Sequence, residues 1–336
     1  MINKKTKFCK AAALLGAAVM MISALAGCGK NTKVVLTAGL KKKEGFRISS
    51  ASCMLPEVMV YLTNMQNQYE SVYGSQIWNA SDGQLSLEQE EREQVLTQLA
   101  RIKVMNLLAL KKEVTLDDKE KERAAAAGRE YFTSLNSAEV TALNVTQDLI
   151  TKMYEEYALA EKVYQTIVEN VNPEVSDDEA RTITVDRIKV SSAAKASQVL
   201  GKAKEEGVDF ETLAQAESED QTVTQSFGKG EVSEALEKAA FNLGKDEISD
   251  VVESDGSYYI LKCISTFDEA QTKANKEKIV KQRQSEAFDT EYTAFEQTLV
   301  RQLNEELWNS VTMIHQDDVK TSSFFEVYQM YFQHQE

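Results

Sequence analysis

Apolar positions along this chain follow helical spacing over long stretches, interrupted by one compact region of strand-like alternation. That region is 183–264. It opens with ITVDRIKV and closes on SYYILKC, and between these strands the spacing predicts two helices, AAKASQVLGKAKEEGVDFETLAQAES and SEALEKAAFNL, separated by a polar loop. Upstream, Val60, Tyr61, Met65, Tyr69 and Val72 predict a helix over 56–73, with Pro56 at a permitted first-turn position. Ser86 and Gln89 have the spacing of a capping box and open a second helix to about Lys112. A third runs from Thr115-Leu116-Asp117-Asp118 to about Leu135. A fourth runs from Thr146 to Glu169, with Leu149, Met153, Tyr157, Ala160, Tyr164 and Ile167 on one face.

Asn170, Pro173 and Ser176 punctuate the chain before the alternating region, and Ser176 to Glu179 again has capping-box spacing. After Thr266 the pattern is helical to about Glu306, with Phe288, Tyr292, Phe295, Leu299 and Leu303 spaced by three and four. Leu307–Ile314 then alternates like a strand. A matching alternation at Phe46–Leu55 predicts that the two segments pair, so that the C-terminal part returns to complete the N-terminal domain. The expected organisation is a leader at 1–27, a tether at 28–45 and a helical domain at 46–172. An α/β module at 180–266 is inserted before a returning helix and strand at 267–315, and a tail occupies 316–336. The fold class is α+β. The aromatic tail, SSFFEVYQMYF, is expected to pack on the helical frame, with contact to other chains as the lesser alternative.

The first residues change the picture of compartment. Lys4, Lys5, Lys7 and Lys10 precede an apolar run from Ala11 to Ala26, and no acidic residue occurs before Cys28. This is the pattern of a secretory signal. Leu25-Ala26-Gly27-Cys28 resembles the bacterial lipobox, which implies acylation of Cys28 and anchoring by lipid without a spanning helix. The whole chain carries a formal charge of −15, and loss of the four leader lysines takes it to about −19. Such an acidic chain lacks the basic footprint of a nucleic-acid binder. Cys53 and Cys263 remain after the leader. The compartment allows a disulfide between them, and their apolar settings equally suit two buried thiols. The only histidines are His315 and His334, and no His/Cys spacing points to zinc. No metal or cofactor is expected.

Within the module the wording is specific. Gly207-Val208-Asp209-Phe210-Glu211-Thr212-Leu213-Ala214 is followed by Ser218-Glu219-Asp220, then Leu236-Glu237-Lys238-Ala239-Ala240-Phe241-Asn242-Leu243, then Asp246-Glu247-Ile248-Ser249. This ordered string resembles the parvulin-type peptidyl-prolyl isomerase family. With the lipobox and the helical flanks, the layout is similar to the PrsA-type foldase lipoproteins and the related SurA chaperones. The resemblance implies a proline-binding cleft in which Asp220 matches the family's acidic or thiol position and Phe241 is retained. Val232 stands where a Met is usual and Leu236 where a Phe is usual, with Phe227 nearby. The family's two cleft histidines correspond to Arg187 and to Tyr258, or to Tyr259 if the last strand is shifted by one residue. The loop between Asp220 and Phe227 is also shorter than the family's.

Rotation about a prolyl amide makes no covalent bond. Its barrier of about 20 kcal/mol falls when an apolar cradle holds the ring and hydrogen bonds weaken amide resonance. An arginine brings a permanent cation to that cradle, and Val232 and Leu236 shrink it. An ion pair of Arg187 with Asp220 or Glu253, and a core role for the tyrosine, are therefore the expected arrangement. The reading is an extracytoplasmic, lipid-anchored foldase or chaperone that binds unfolded exported polypeptides through its helical domain and a degenerate module. An active isomerase with an atypical cleft is the first alternative, and a structural envelope lipoprotein is the second. A homodimer is also compatible with the sequence.

Overall fold

The computed structural model describes residues 34–40, 50–81 and 86–333. In chain order the elements are β1 (Val34–Leu40), β2 (Ser50–Met54), α1 (Leu55–Tyr73), a 3-10 turn (Ser75–Asn79), α2 (Leu87–Lys112), α3 (Asp118–Ser134), α4 (Ser137–Leu143) and α5 (Gln147–Val168). There follow α6 (Asp177–Ala180), β3 (Thr182–Val190), α7 (Ala193–Ala203), α8 (Phe210–Glu217), β4 (Thr224–Gly228), α9 (Glu234–Phe241), β5 (Val252–Ser254) and β6 (Ser257–Ser265). The last are α10 (Glu269–Glu296), β7 (Leu299–Leu303), α11 (Glu305–Asn309) and α12 (Phe324–Phe332). The chain divides into two compact units, one made of 1–166 with 290–336 and the other of 167–289.

The first unit is helical around a three-stranded antiparallel sheet of order β2-β1-β7. Two expectations are corrected here. Residues 34–40, placed in the tether, form the central strand, paired on both sides and burying Val35 and Ala38. The segment VVLTAGL alternates well enough to be a strand, but a polar, lysine-rich surround masks it. The expected pairing of Phe46–Leu55 with Leu307–Ile314 is the second: β2 pairs with β1 instead, and the C-terminal strand of the sheet is β7, on the other side of β1. Leu299 and Leu303 fit a helical stripe and equally share one face of a strand, and α10 stops at Glu296, where Thr298 N donates to Phe295 O. Asn304 then caps α11 by accepting from Leu307 N. Val311 and Met313 are buried in an extended segment that lies against α1, where Gln66 Nε2 donates to Ile314 O and Gln66 Oε1 accepts from Ile314 N. Alternation there reflects docking on a helix. The expected strand at Phe46–Ile48 and the lipobox cysteine lie outside the described residues.

The capping boxes at Ser86/Gln89, Asp117/Glu120 and Asn136/Glu139 are all formed, satisfying amide donors that helix starts leave orphaned. The tail is part of the core. Phe324 is fully buried, stacked 4.5 Å from Tyr154 and edge-on to Tyr131 at 5.3 Å. Beneath the sheet, Lys103 of α2 sits between Glu57 of α1 at 2.6 Å and Glu156 of α5 at 2.5 Å. Burial pulls the Lys103 ammonium toward neutrality, but the Glu156 and Glu57 carboxylates outweigh it and hold the group charged.

The second unit carries a four-stranded antiparallel sheet of order β4-β3-β6-β5. One face, with Ile188, Val190 and Ile260, packs on Ala196, Val199 and Ala203 of α7 and on Phe210 and Ala214 of α8. The other face carries Ile183, Val185, Phe227, Tyr259 and Leu261 and is covered by Leu236 and Ala240 of α9. A bulge between Thr184 and Val185 resets the β3–β6 register before the functional positions are reached. Cys53 and Cys263 are free, buried thiols, one in each unit.

Candidate active-site cleft

Strand pairing decides what shares the cleft face. On β3 and β6, Arg187 stands opposite Leu261 and Lys189 opposite Tyr259, and residues directly opposite in an antiparallel pair point to the same side. Arg187 and Lys189 therefore join Val185, Phe227, Leu261 and α9. Tyr258 stands opposite Val190 and packs with the α7/α8 layer. The candidate residue is thus Tyr259, and the placement of Tyr258 in the cleft is corrected by one position. Two adjacent tyrosines in a strand necessarily face opposite sides, and only the register says which.

Each nitrogen of the Arg187 guanidinium has a partner. Its Nη2 lies 2.5 Å from Asp220 Oδ2, its Nη1 donates to Gln225 Oε1 at 2.5 Å, and its Nε donates to Thr222 O at 3.3 Å. The two charged side chains are 20% and 27% exposed, so the pair is half-sheltered. Glu253, the other candidate partner, stands opposite Tyr258 on the far face. Asp220 is held for this contact by its loop: its Oδ1 accepts from Thr222 N, and its own N–H donates to Ser218 Oγ. Ser218 Oγ also accepts from Lys189 N, and Glu219 N donates to Lys189 O, which straps the loop to β3. The short loop closes over the arginine.

The apolar part of the cleft is continuous. Phe227 and Phe241 lie 6.2 Å apart, Leu236 is buried behind them, and Val232, Leu243 and Val252 pack at the margin. The Arg181 guanidinium lies 4.9 Å from the Phe241 ring centroid and Lys189 Nζ lies 6.0 Å from the Tyr259 centroid, so cations rim this basin. The module contains no histidine at all. Without an imidazole or a free carboxylate, the cleft offers an apolar surface, a tyrosine and a neutralised ion pair. Sequence reasoning missed Gln225, Thr222, Lys189 and Arg181. Gln225 was findable, since it lies two residues before Phe227 and shares its face.

Residues 169–278 match the model of the PPIC-type PPIase domain. The module belongs to the parvulin-type peptidyl-prolyl isomerase family. The chain is 30% identical over 165 residues to the foldase protein PrsA of Streptococcus pneumoniae, a match covering 44% of this chain and 53% of that one. The chain therefore spans about half the length of the curated relatives it matches. Among solved structures, PrsA of Bacillus cereus is 18% identical with a TM-score of 0.38, covering 72% of this chain and 91% of that one. PrsA of Bacillus subtilis is 24% identical with a TM-score of 0.28, covering 71% and 91%. At these scores the superpositions add nothing to the chemistry of the parvulin-type cleft.

Proposed function

We propose that this protein is an extracytoplasmic foldase of chaperone type, anchored by lipid at Cys28, whose parvulin-type module binds clients without efficient prolyl isomerisation. The observation that carries the reading is the Arg187–Asp220–Gln225 network. This hydrogen-bonding constellation on the cleft face is turned inward on itself, and each nitrogen of its guanidinium already has a partner. Lowering the amide barrier needs a donor free to reach the prolyl amide as it twists. The apolar basin of Phe227, Leu236, Phe241 and Val232 still suits side chains that an unfolded polypeptide exposes. The PrsA relative of Streptococcus pneumoniae, named a foldase, supports the same reading, and the leader pattern supports export. Among the described residues no helix is long and apolar enough to cross a membrane.

A working isomerase is the second reading, favoured by one observation: Tyr259 brings its phenol to the cleft face beside the basin. The deciding experiment uses the mature chain 28–336 in two assays, acceleration of X-Pro exchange in a short peptide and suppression of aggregation of a denatured client. The expected result is suppression with exchange at background. Arg187→His/Tyr259→His is run beside it as the attempt to rebuild a histidine pair. Exchange well above background in the natural chain, abolished by Leu236→Ala, would establish the isomerase instead.

A further inference from the structure

The place where the described fold begins fixes how far the protein can stand from its anchor. β1 starts at Val34 and is the central strand of its sheet, hydrogen-bonded to β2 through Val34–Gly39 and to β7 through Leu36–Leu40. It cannot be drawn out as linker without dismantling that sheet. Only residues 29–33 separate Cys28 from it. Six residue-to-residue steps, at 3.3–3.6 Å each when fully extended, reach about 20 Å. Of the expected tether, residues 34–40 are part of the fold.

We infer that the first unit is a membrane-apposed domain, held with one defined rim within about 20 Å of the bilayer surface. This rests on the proposed acylation of Cys28. The rim is the end of the sheet at which β1 begins. Val34 faces Met54, at the start of α1, and Val34 O and Val35 O accept from Asn304 Nδ2 and N, which places α11 at the same end. α11 presents Glu305 and Glu306 to solvent and buries Trp308, over which Arg92 lies 5.2 Å from the ring centroid. The occupant of this face is the lipid surface, committed by the length of chain available. The exposed glutamates disfavour adhesion to anionic headgroups, so the rim is leashed to the bilayer and not inserted in it.

Trp308 is a reporter already in place, because the chain has only one other tryptophan, Trp78. Trp78→Phe in the acylated protein, reconstituted into phosphatidylcholine vesicles containing a dansyl-headgroup lipid, reads energy transfer from Trp308 to the surface. A matched protein carries an insertion of about 40 Gly/Ser residues between Lys33 and Val34, a flexible chain whose mean span alone approaches twice the native maximum. The expected result is strong transfer in the native chain, reduced about threefold or more by the insertion. Equal transfer in the two proteins would overturn the inference. Mass spectrometry of the purified protein tests acylation separately. If the diacylglycerol is missing, the anchoring reading fails, and coupling Cys28 of the mature chain to a maleimide lipid still measures the leash. Weak transfer from that coupled protein would overturn the geometric claim by itself.

Discussion

At the scale of single residues, charge decides what the cleft face offers. Arg187 brings to it a cation that does not titrate near neutrality, and Asp220 neutralises it at 2.5 Å. A second residue has a sharper signature. Glu91 of α2 is fully buried, and neither carboxylate oxygen has a hydrogen-bond partner. Burial, with the neighbouring Glu90 charge adding to it, pushes its carboxyl up from 4.5 to about 7. The folded state thus holds a proton more tightly than the unfolded one. The stability contributed by the protonated form is complete below the unfolded value and is lost as pH rises through about 7. Glu91→Gln, which keeps the shape and removes the titration, should match the natural protein in thermal midpoint near pH 4.5. It should then exceed the natural protein by a widening margin up to pH 8. Parallel midpoints across that range would remove Glu91 as the cause.

At the scale of elements, the buried ion triad joins three helices that local sequence alone would not bring together. Lys103, Glu57 and Glu156 come from α2, α1 and α5, and Asn106 Nδ2 donates to Glu156 O beside them. Removing the cation leaves two carboxylates in an apolar layer, the case in which breaking one partner costs about 3–5 kcal/mol. Lys103→Met should lower the unfolding free energy of the first unit by that amount, read as a fall in the urea midpoint with the slope of the transition unchanged. Lys103→Met combined with Glu57→Gln and Glu156→Gln should recover most of the loss, because the uncompensated charges go with it. A single variant as stable as the natural protein would show that the triad contributes little. Legibility differed sharply between elements here. Helices α1, α2, α3 and α5 were readable because their stripes and caps are local signals. Strand β1 was not, since a strand's worth depends on its neighbours, and β7 was hidden inside what reads as a helical stripe.

At the scale of the whole molecule, the chain leaves one unit and returns to it. Residues 290–336 supply β7 to the sheet and α12 to the aromatic core of the first unit, while 167–289 carries its own two-faced sheet and helices. Excised 167–289 should therefore unfold cooperatively on its own, with the near-ultraviolet signature of a packed core. The fragment 28–166, lacking the outer strand beside β1 and Phe324 between Tyr61, Tyr131 and Tyr154, should not. Adding 290–336 in trans should restore structure to it. A cooperative transition from 28–166 alone would contradict this division of labour.

By itself the sequence determined the charge, the helical stripes with their caps and the ordered wording of the parvulin-type module. These are local or compositional signals, carried by residues a few positions apart. It also showed that the module itself holds no histidine. Only the tertiary structure decided that Tyr259 and not Tyr258 faces Phe227, that Arg187 is bound by Asp220 and not Glu253, and that 34–40 is core and not tether. Each of those is a question of strand register or strand partner. Register is set by contacts between segments tens to hundreds of residues apart, and a shift of one residue exchanges the two faces of a strand.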